Sequence, residues 1–189
     1  SADIRGFGYW VWKPFIILDT LAKMDDGDVL LYVDMGSHLN SRGKEKLLDY
    51  WKEVKENESG FLVSQLEPVR KECFWTKGDL LDYFRIRGKE EMYSPQYQSG
   101  VIFIRKEPKT VALVKAWLDM YYENFYLVDD TPSLSPNEGG FVENRHDQSV
   151  LSLLLKRHGT SVIPLEEVYR PNWNLYSRFY PILIKRDLI

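Results

Sequence analysis

Asp34 ends an unbroken apolar run, Val29-Leu30-Leu31-Tyr32-Val33, and is followed by Met35 and Gly36. A run with no polar break reads as a strand covered on both faces, and in an open α/β sheet the carboxyl end of such a strand stands in the crevice where ligands bind. A carboxylate there can face a metal-bound phosphate, and Gly36 lets backbone come close to it. The plain structural alternative is that Asp34 caps the next loop. A second candidate group is Arg5-Gly6-Phe7-Gly8-Tyr9-Trp10, followed by Lys13. Two glycines around a phenylalanine describe a tight backbone path, and Arg5 and Lys13 bracket it with charge suited to phosphate, or else with two solvated cations around an aromatic plug.

The third group is Arg145-His146-Asp147-Gln148, at the start of an apolar-periodic segment. Asp147 is placed to act as a base or to cap that helix, and Arg145 and His146 to bind phosphate or a second substrate, or to be solvated. His38, four residues beyond Asp34, is either a metal ligand or a solvated loop histidine.

These residues need elements to hold them. Pro14 suits a first helical position, with Phe15, Ile16, Leu18, Leu21 and Ala22 as the apolar face before the turn at Asp25-Asp26-Gly27. Ser41 caps a helix over 42–57 with Leu47, Leu48, Trp51 and Val54 on one side, and 61–64 reads as a strand. Thr76 caps a helix through Leu80, Leu81 and Phe84, stopped by Gly88. The strand 97–105 is entered through Gln98, Ser99 and Gly100. Pro108 starts a helix to about Asn124 with Leu113, Val114, Trp117 and Tyr121 inward. From Leu127 to Asn144 there is no periodicity, which reads as a functional lid or a disordered loop. The helix after Arg145 carries Val150, Leu151, Leu154 and Leu155 and stops at Gly159; short strands are expected over 162–165 and 167–169, then an extended aromatic tail from Pro171.

Composition narrows the classes. At 189 residues the prior is one domain, 1–189, with a core that needs no staples. One cysteine, Cys73, excludes an internal disulfide and a cysteine zinc site and fits a reducing compartment. No run approaches the roughly 18 apolar residues of a membrane span. The net charge of −3, from 25 basic and 28 acidic residues well mixed, argues against nucleic acid as a partner. Six tryptophans and twelve tyrosines suit stacking on sugars or bases as well as ordinary cores.

Taken together, the Arg5–Trp10 block with Trp12-Lys13-Pro14, the Asp34-Met35-Gly36 strand end, and Gln98-Ser99-Gly100-Val101 followed by Arg145-His146-Asp147-Gln148-Ser149 resemble small glycosyltransferases of the GT-A fold. These are of the kind found in bacterial polysaccharide gene clusters and in large algal, chlorella-type viruses. The resemblance runs from Arg5 to about Tyr180 and rests on the order and spacing of short blocks. It implies a Rossmann-like, mixed and mostly parallel central sheet flanked by helices. It also implies sugar transfer from a nucleoside diphosphate donor such as UDP-sugar to a glycan hydroxyl, with Mn²⁺ or Mg²⁺.

By that resemblance Asp34 is the surviving acid of the Asp-x-Asp motif that holds metal and diphosphate, here Asp-Met-Gly. Arg5, Gly8, Tyr9, Trp10, Lys13 and Gly36 join it at the donor. Asp147 and Gln148 match the Asp-Gln near the reacting sugar, and Gln98, Ser99, Gly100, Arg145 and His146 line the acceptor or sugar pocket. Such folds open with a strand and helix that bind the base, whereas this sequence begins at what resembles the following segment. A soluble cytoplasmic protein is implied, in the host cytoplasm if viral. A non-catalytic nucleotide- or carbohydrate-binding module on the same scaffold is the competing reading; an unrelated α/β hydrolase would need a nucleophile elbow that the sequence lacks.

Overall fold

In the computed structural model, which describes residues 5–169 and 178–184, the first half of the chain runs α1 (Trp12–Leu21), β1 (Val29–Val33), β2 (Ser37–Leu39), α2 (Lys44–Glu56), β3 (Phe61–Gln65) and α3 (Gly78–Tyr83). The second half runs β4 (Tyr97–Arg105), α4 (Pro108–Glu123), α5 (Asp147–His158), β5 (Ser161–Ile163) and β6 (Ile182–Ile184). Single helical turns lie at Glu72–Trp75, Glu90–Tyr93, Phe125–Val128 and Leu165–Val168.

The main sheet has the order β1-β4-β3-β5, and β2 and β6 form a separate antiparallel ribbon. The expected mostly parallel sheet is corrected here. Central β4 runs antiparallel to both neighbours, β1 and β3, and among the described residues only β3 and β5 are parallel. The apolar runs did report burial on both faces, but burial does not set direction. Along β4, Ile102 and Ile104 join one core with Ile17, Leu21, Trp117 and Leu151, while Val101 and Phe103 join the other with Tyr50, Val54 and Ile182. Both faces are thus covered, and the domain is mixed α/β with a central sheet between helices.

Several elements differ from expectation. On α1 the buried residues are Lys13, Pro14, Ile17 and Leu21, whereas Phe15 and Ile16 are exposed. Spacing by four puts Lys13, Ile17 and Leu21 on one helix face, so turning Lys13 inward turns Phe15 and Ile16 out. On α2, Tyr50 and Val54 are buried and Leu48 is exposed, and the entry is a 3-10 turn at Ser41–Gly43 capped by Asn40, whose side chain accepts from the Arg42 N–H. Thr76 does not cap α3, which begins at Gly78 after Lys77; it ends the turn Glu72–Trp75, and its hydroxyl donates to Glu72. The strand expected over 167–169 is a helical turn from Leu165, begun by Pro164 at φ −56° and held where the Tyr50 hydroxyl donates to Glu167 at 2.5 Å. The expected tail from Pro171 lies outside the described residues except for 178–184.

The long segment before α5 is fastened rather than loose. The Asp79 carboxylate accepts the backbone N–H groups of Leu134 and Ser135 at 2.8 and 2.7 Å, Gly78 donates to Asn137, and Arg87 pairs with Glu138 at 2.6 Å. Lys77, 3% exposed, donates to the carbonyls of Tyr126, Asp129 and Thr131. This segment forms a fixed wall against α3 rather than a hanging lid.

Candidate functional site

Asp34 leaves β1 beside Gly100 of β4, to whose carbonyl its N–H donates at 2.9 Å. A Cβ on Gly100 would stand 3.1 Å from Asp34 Oδ2, so the glycine is what lets the carboxylate lie across the neighbouring strand. Asp34 Oδ1 accepts the Tyr32 hydroxyl at 2.8 Å. Burial, then the Asp34 carboxylate, pushes that hydroxyl well above the usual phenol range, so it remains a donor.

Lys13 reaches this carboxylate from α1. Its side chain is 4% exposed, and Nζ lies 3.1 Å from Asp34 Oδ1, 2.9 Å from Asp147 Oδ2 and 3.1 Å from Ser99 Oγ. Ser99 in turn donates to Asp147 Oδ2 at 2.6 Å. An acid from a strand end and an acid from a helix start thus share one ammonium. Asp147 is buried and Asp34 is half open, its side chain 42% exposed. Oδ1 of Asp147 has no protein partner among the described residues, so the carboxylate keeps one oxygen free to act.

A cavity of about 310 Å³ opens over this cluster, lined by Arg5, Trp10, Lys13, Asp34, Ser99, Glu143, Arg145, His146, Asp147 and Gln148. Glu143 draws two cations together, 3.2 Å from Arg5 and 2.9 Å from Arg145. Asp147 and Gln148 begin α5, so the positive end of that helix borders the cavity and favours an anion there. A second lobe of about 170 Å³ is lined by Asp34, Gly36, Ser37, Gln98, Ser99, Gly100, Gln148 and Ile184. A third, of about 220 Å³, brings Arg70, Trp75, Leu165 and Tyr169 together with Gln98, Arg145 and Gln148. Gln148 lines all three. Strand β3 shifts register against β4 between Val63 and Gln65, beside the entry of β4 where Gln98 stands.

The backbone that brings Arg5 and Trp10 here is unusual. Gly6, Phe7, Gly8, Tyr9 and Trp10 all have φ between +53° and +85°, a left-handed turn closed by Tyr9 N–H to the Arg5 carbonyl at 2.8 Å. Non-glycine residues pay about 1–2 kcal/mol each for that conformation, and glycine at two of five positions lowers the total. His146, at φ +50°, meets the turn. Its ring lies 4.8 Å from Tyr9 and 5.7 Å from Trp10, and its Nδ1 pairs with the Val128 carbonyl at 2.6 Å. Positive-φ segments from two parts of the chain therefore brace one wall.

Of the residues singled out in the sequence, Arg5, Trp10, Lys13, Asp34, Arg145, His146, Asp147 and Gln148 line one cavity, and Gly36, Gln98, Ser99 and Gly100 line the lobe beside it. Gly8 and Tyr9 do not line the cavity. Gly8 serves the turn, and Tyr9 packs behind it, where its carbonyl accepts the Tyr121 hydroxyl at 2.6 Å. His38 sits on β2 opposite Leu183 and lines none of these lobes. Sequence reading missed Tyr32, Glu143 and Trp75. The hydroxyl of Tyr32, two residues before Asp34 on the same strand, was the one signal available, because same-face strand neighbours alternate by two.

Mn²⁺ and Mg²⁺ seek about six oxygen ligands. At Asp34 such an ion would find a single carboxylate whose Oδ1 already accepts from Tyr32 and Lys13, followed by an exposed methionine and a glycine. Among the described residues no three His, Cys, Asp or Glu side chains group as a metal set. The donor set does not fit a divalent ion held by the protein.

No protein-family model matches the chain, and no curated protein sequence matches it. Among solved structures, a glycosyltransferase involved in the glycosylation of the major capsid of PBCV-1 is similar over 97% of this chain and 72% of its own, at TM-score 0.53 and 10% identity. Mouse xyloside xylosyltransferase 1 matches 92% of this chain and 62% of its own, at TM-score 0.49 and 11% identity. In fold, then, this chain is similar to a solved glycosyltransferase.

Proposed function

We propose that the chain is a glycosyltransferase that moves a sugar from a nucleoside diphosphate donor to a hydroxyl of a glycan acceptor. The observation that carries this reading is the joining of Asp34 and Asp147 on Lys13 inside one cavity. Breaking a sugar–diphosphate bond leaves negative charge on the diphosphate and positive charge on the ring, so the site must offer cations to one and carboxylates to the other.

Arg5, Arg145 and the start of α5 are the groups we assign to the diphosphate. Lys13 balances Asp34 and Asp147, which keeps a pair of acids from repelling an incoming anion. As the acceptor oxygen bonds to the anomeric carbon, the bond from that carbon to the diphosphate oxygen breaks and its electron pair leaves with the diphosphate. The hydroxyl proton passes to Oδ1 of Asp147. Gln148 donates its amide N–H to Gln96 Oε1 at 2.6 Å, which leaves its own carbonyl oxygen for a sugar hydroxyl. Gln98 lines two of the three lobes that Gln148 lines.

The test is a donor screen by nucleotide release with UDP-, GDP- and dTDP-sugars. Turnover of one donor is expected, and Asp34→Ala should abolish it while leaving the circular dichroism spectrum intact. Undiminished turnover in that variant removes this cavity as the site. Nucleotide binding without turnover would favour the non-catalytic module.

A further inference from the structure

We infer that Lys13 is a built-in cation: its ammonium stands where a divalent ion would otherwise bridge the two carboxylates, so this cleft binds its anionic ligand without a metal. As a statement about a nucleotide-sugar site it rests on the reading above. The geometry beneath it does not.

Three observations carry it. The ammonium is enclosed: the whole residue is 3% exposed, and Nζ contacts Asp34, Asp147 and Ser99 within 3.1 Å, which accounts for its three donors. One oxygen of each carboxylate, the one turned to the ammonium, is already engaged, since Asp34 Oδ1 also takes the Tyr32 hydroxyl and Asp147 Oδ2 the Ser99 hydroxyl. A dication on Asp34 would have to sit beside an ammonium enclosed by its three contacts and carried on a helix face packed into the core through Ile17 and Leu21. Like charges held together in a partly buried cleft repel strongly, and the second acid of a metal motif is absent. The ammonium supplies one fixed positive charge, and Arg5 and Arg145 supply the rest.

The inference makes an unusual prediction: removing Lys13 should create a metal site, because it frees Asp34 and Asp147 to face the same point. The experiment titrates Mn²⁺ alone into the full chain and follows free Mn²⁺ by electron paramagnetic resonance, for wild type, Asp34→Asn, Lys13→Ala and the double variant. Wild type and Asp34→Asn should leave the free-ion signal equally undiminished, and Lys13→Ala should bind Mn²⁺ at least tenfold more tightly, an effect the double variant loses. In parallel, calorimetry with UDP, GDP and dTDP should give the same Kd in EDTA and in Mn²⁺ for whichever binds.

Wild-type Mn²⁺ binding that Asp34→Asn removes would overturn the inference, as would tenfold tighter nucleotide binding with Mn²⁺. A folded Lys13→Ala protein that binds no more Mn²⁺ than wild type would also overturn it. Should Lys13→Ala fail to fold, the wild-type and Asp34→Asn comparison decides alone. Failure of every donor to turn over would sink the transferase reading and leave the Mn²⁺ result standing.

Discussion

Lys13 and Lys156 are both buried beside carboxylates, with side chains 4% and 5% exposed, yet their surroundings are finished differently. Lys156 lies 3.6 Å from Glu72, a carboxylate with no exposure at all, whose oxygens accept from Ser152, from Thr76 at 2.8 Å and from Gln96 at 2.9 Å. Burial pushes the Glu72 carboxyl up and the Lys156 amine down, and each is partly restored by the other. That cluster is closed. Around Lys13, by contrast, one oxygen of Asp147 is left over and Asp34 is half open to a cavity. Equal burial of an ammonium therefore does not mark a site; a carboxylate oxygen left without a protein partner at a cavity does.

The contrast is broken most sharply by exchanging the consequences of mutation. Asp147→Asn should lower the transfer rate by about 10²–10⁴-fold, the usual worth of a positioned base, while costing less in unfolding than the loss of Glu72, because Asp34 still pairs with Lys13. Glu72→Ala should do the reverse, costing about 3–5 kcal/mol in denaturant unfolding because it strands Lys156 without its partner. Replacing both Glu72 and Lys156 with methionine should recover only part of that loss, since it removes the two buried charges but leaves the Ser152, Thr76 and Gln96 donors without their acceptor. An unfolding cost for Asp147→Asn as large as that for Glu72→Ala would erase the distinction between the clusters.

Gly6→Ala tests the wall of the open cluster. Its Cβ would fall 2.5 Å from the Trp10 ring at φ +60°, so at least about 1–2 kcal/mol should be lost along with nucleotide binding. The smallest effect concerns the segment fastened to α3. Burial raises the Asp79 carboxyl, but the Ser135 and Leu134 N–H groups outweigh it and hold the pKa below the usual carboxylate value. A depressed acid contributes stability that is present above its unfolded value, about 3.9, and is lost as pH falls through the lower folded value. Amide exchange at Leu134 and Ser135 should therefore stay protected at pH 5 and open only below about 3.9; exposure already at pH 5 would show that the segment is not held this way.

Much of this was legible locally. Val29–Val33, Tyr97–Arg105 and the helix from Pro108 announce themselves by apolar runs and by a proline at a helix start, and the three blocks that line the cavity were each visible as short motifs. Strand direction was not, because Ile102 and Val101 report only that each face of β4 is covered. The ribbon of β2 and β6 was invisible, being three residues on each side. The role of Lys13 was half read. Its charge suggested phosphate, but its bridging of two acids depends on contacts far along the chain that no local pattern encodes. Glu72 gave no signal at all, since a buried acid looks like a solvated one until its hydroxyl and amide partners fold around it.

The most direct test of the central claim is sugar transfer measured as product glycoside by mass spectrometry, with the donor chosen by the nucleotide-release screen, for wild type, Asp34→Ala and Asp147→Asn side by side. The account predicts product from wild type, none from Asp34→Ala, and at least about a hundredfold less from Asp147→Asn. Equal product from all three folded proteins would contradict it.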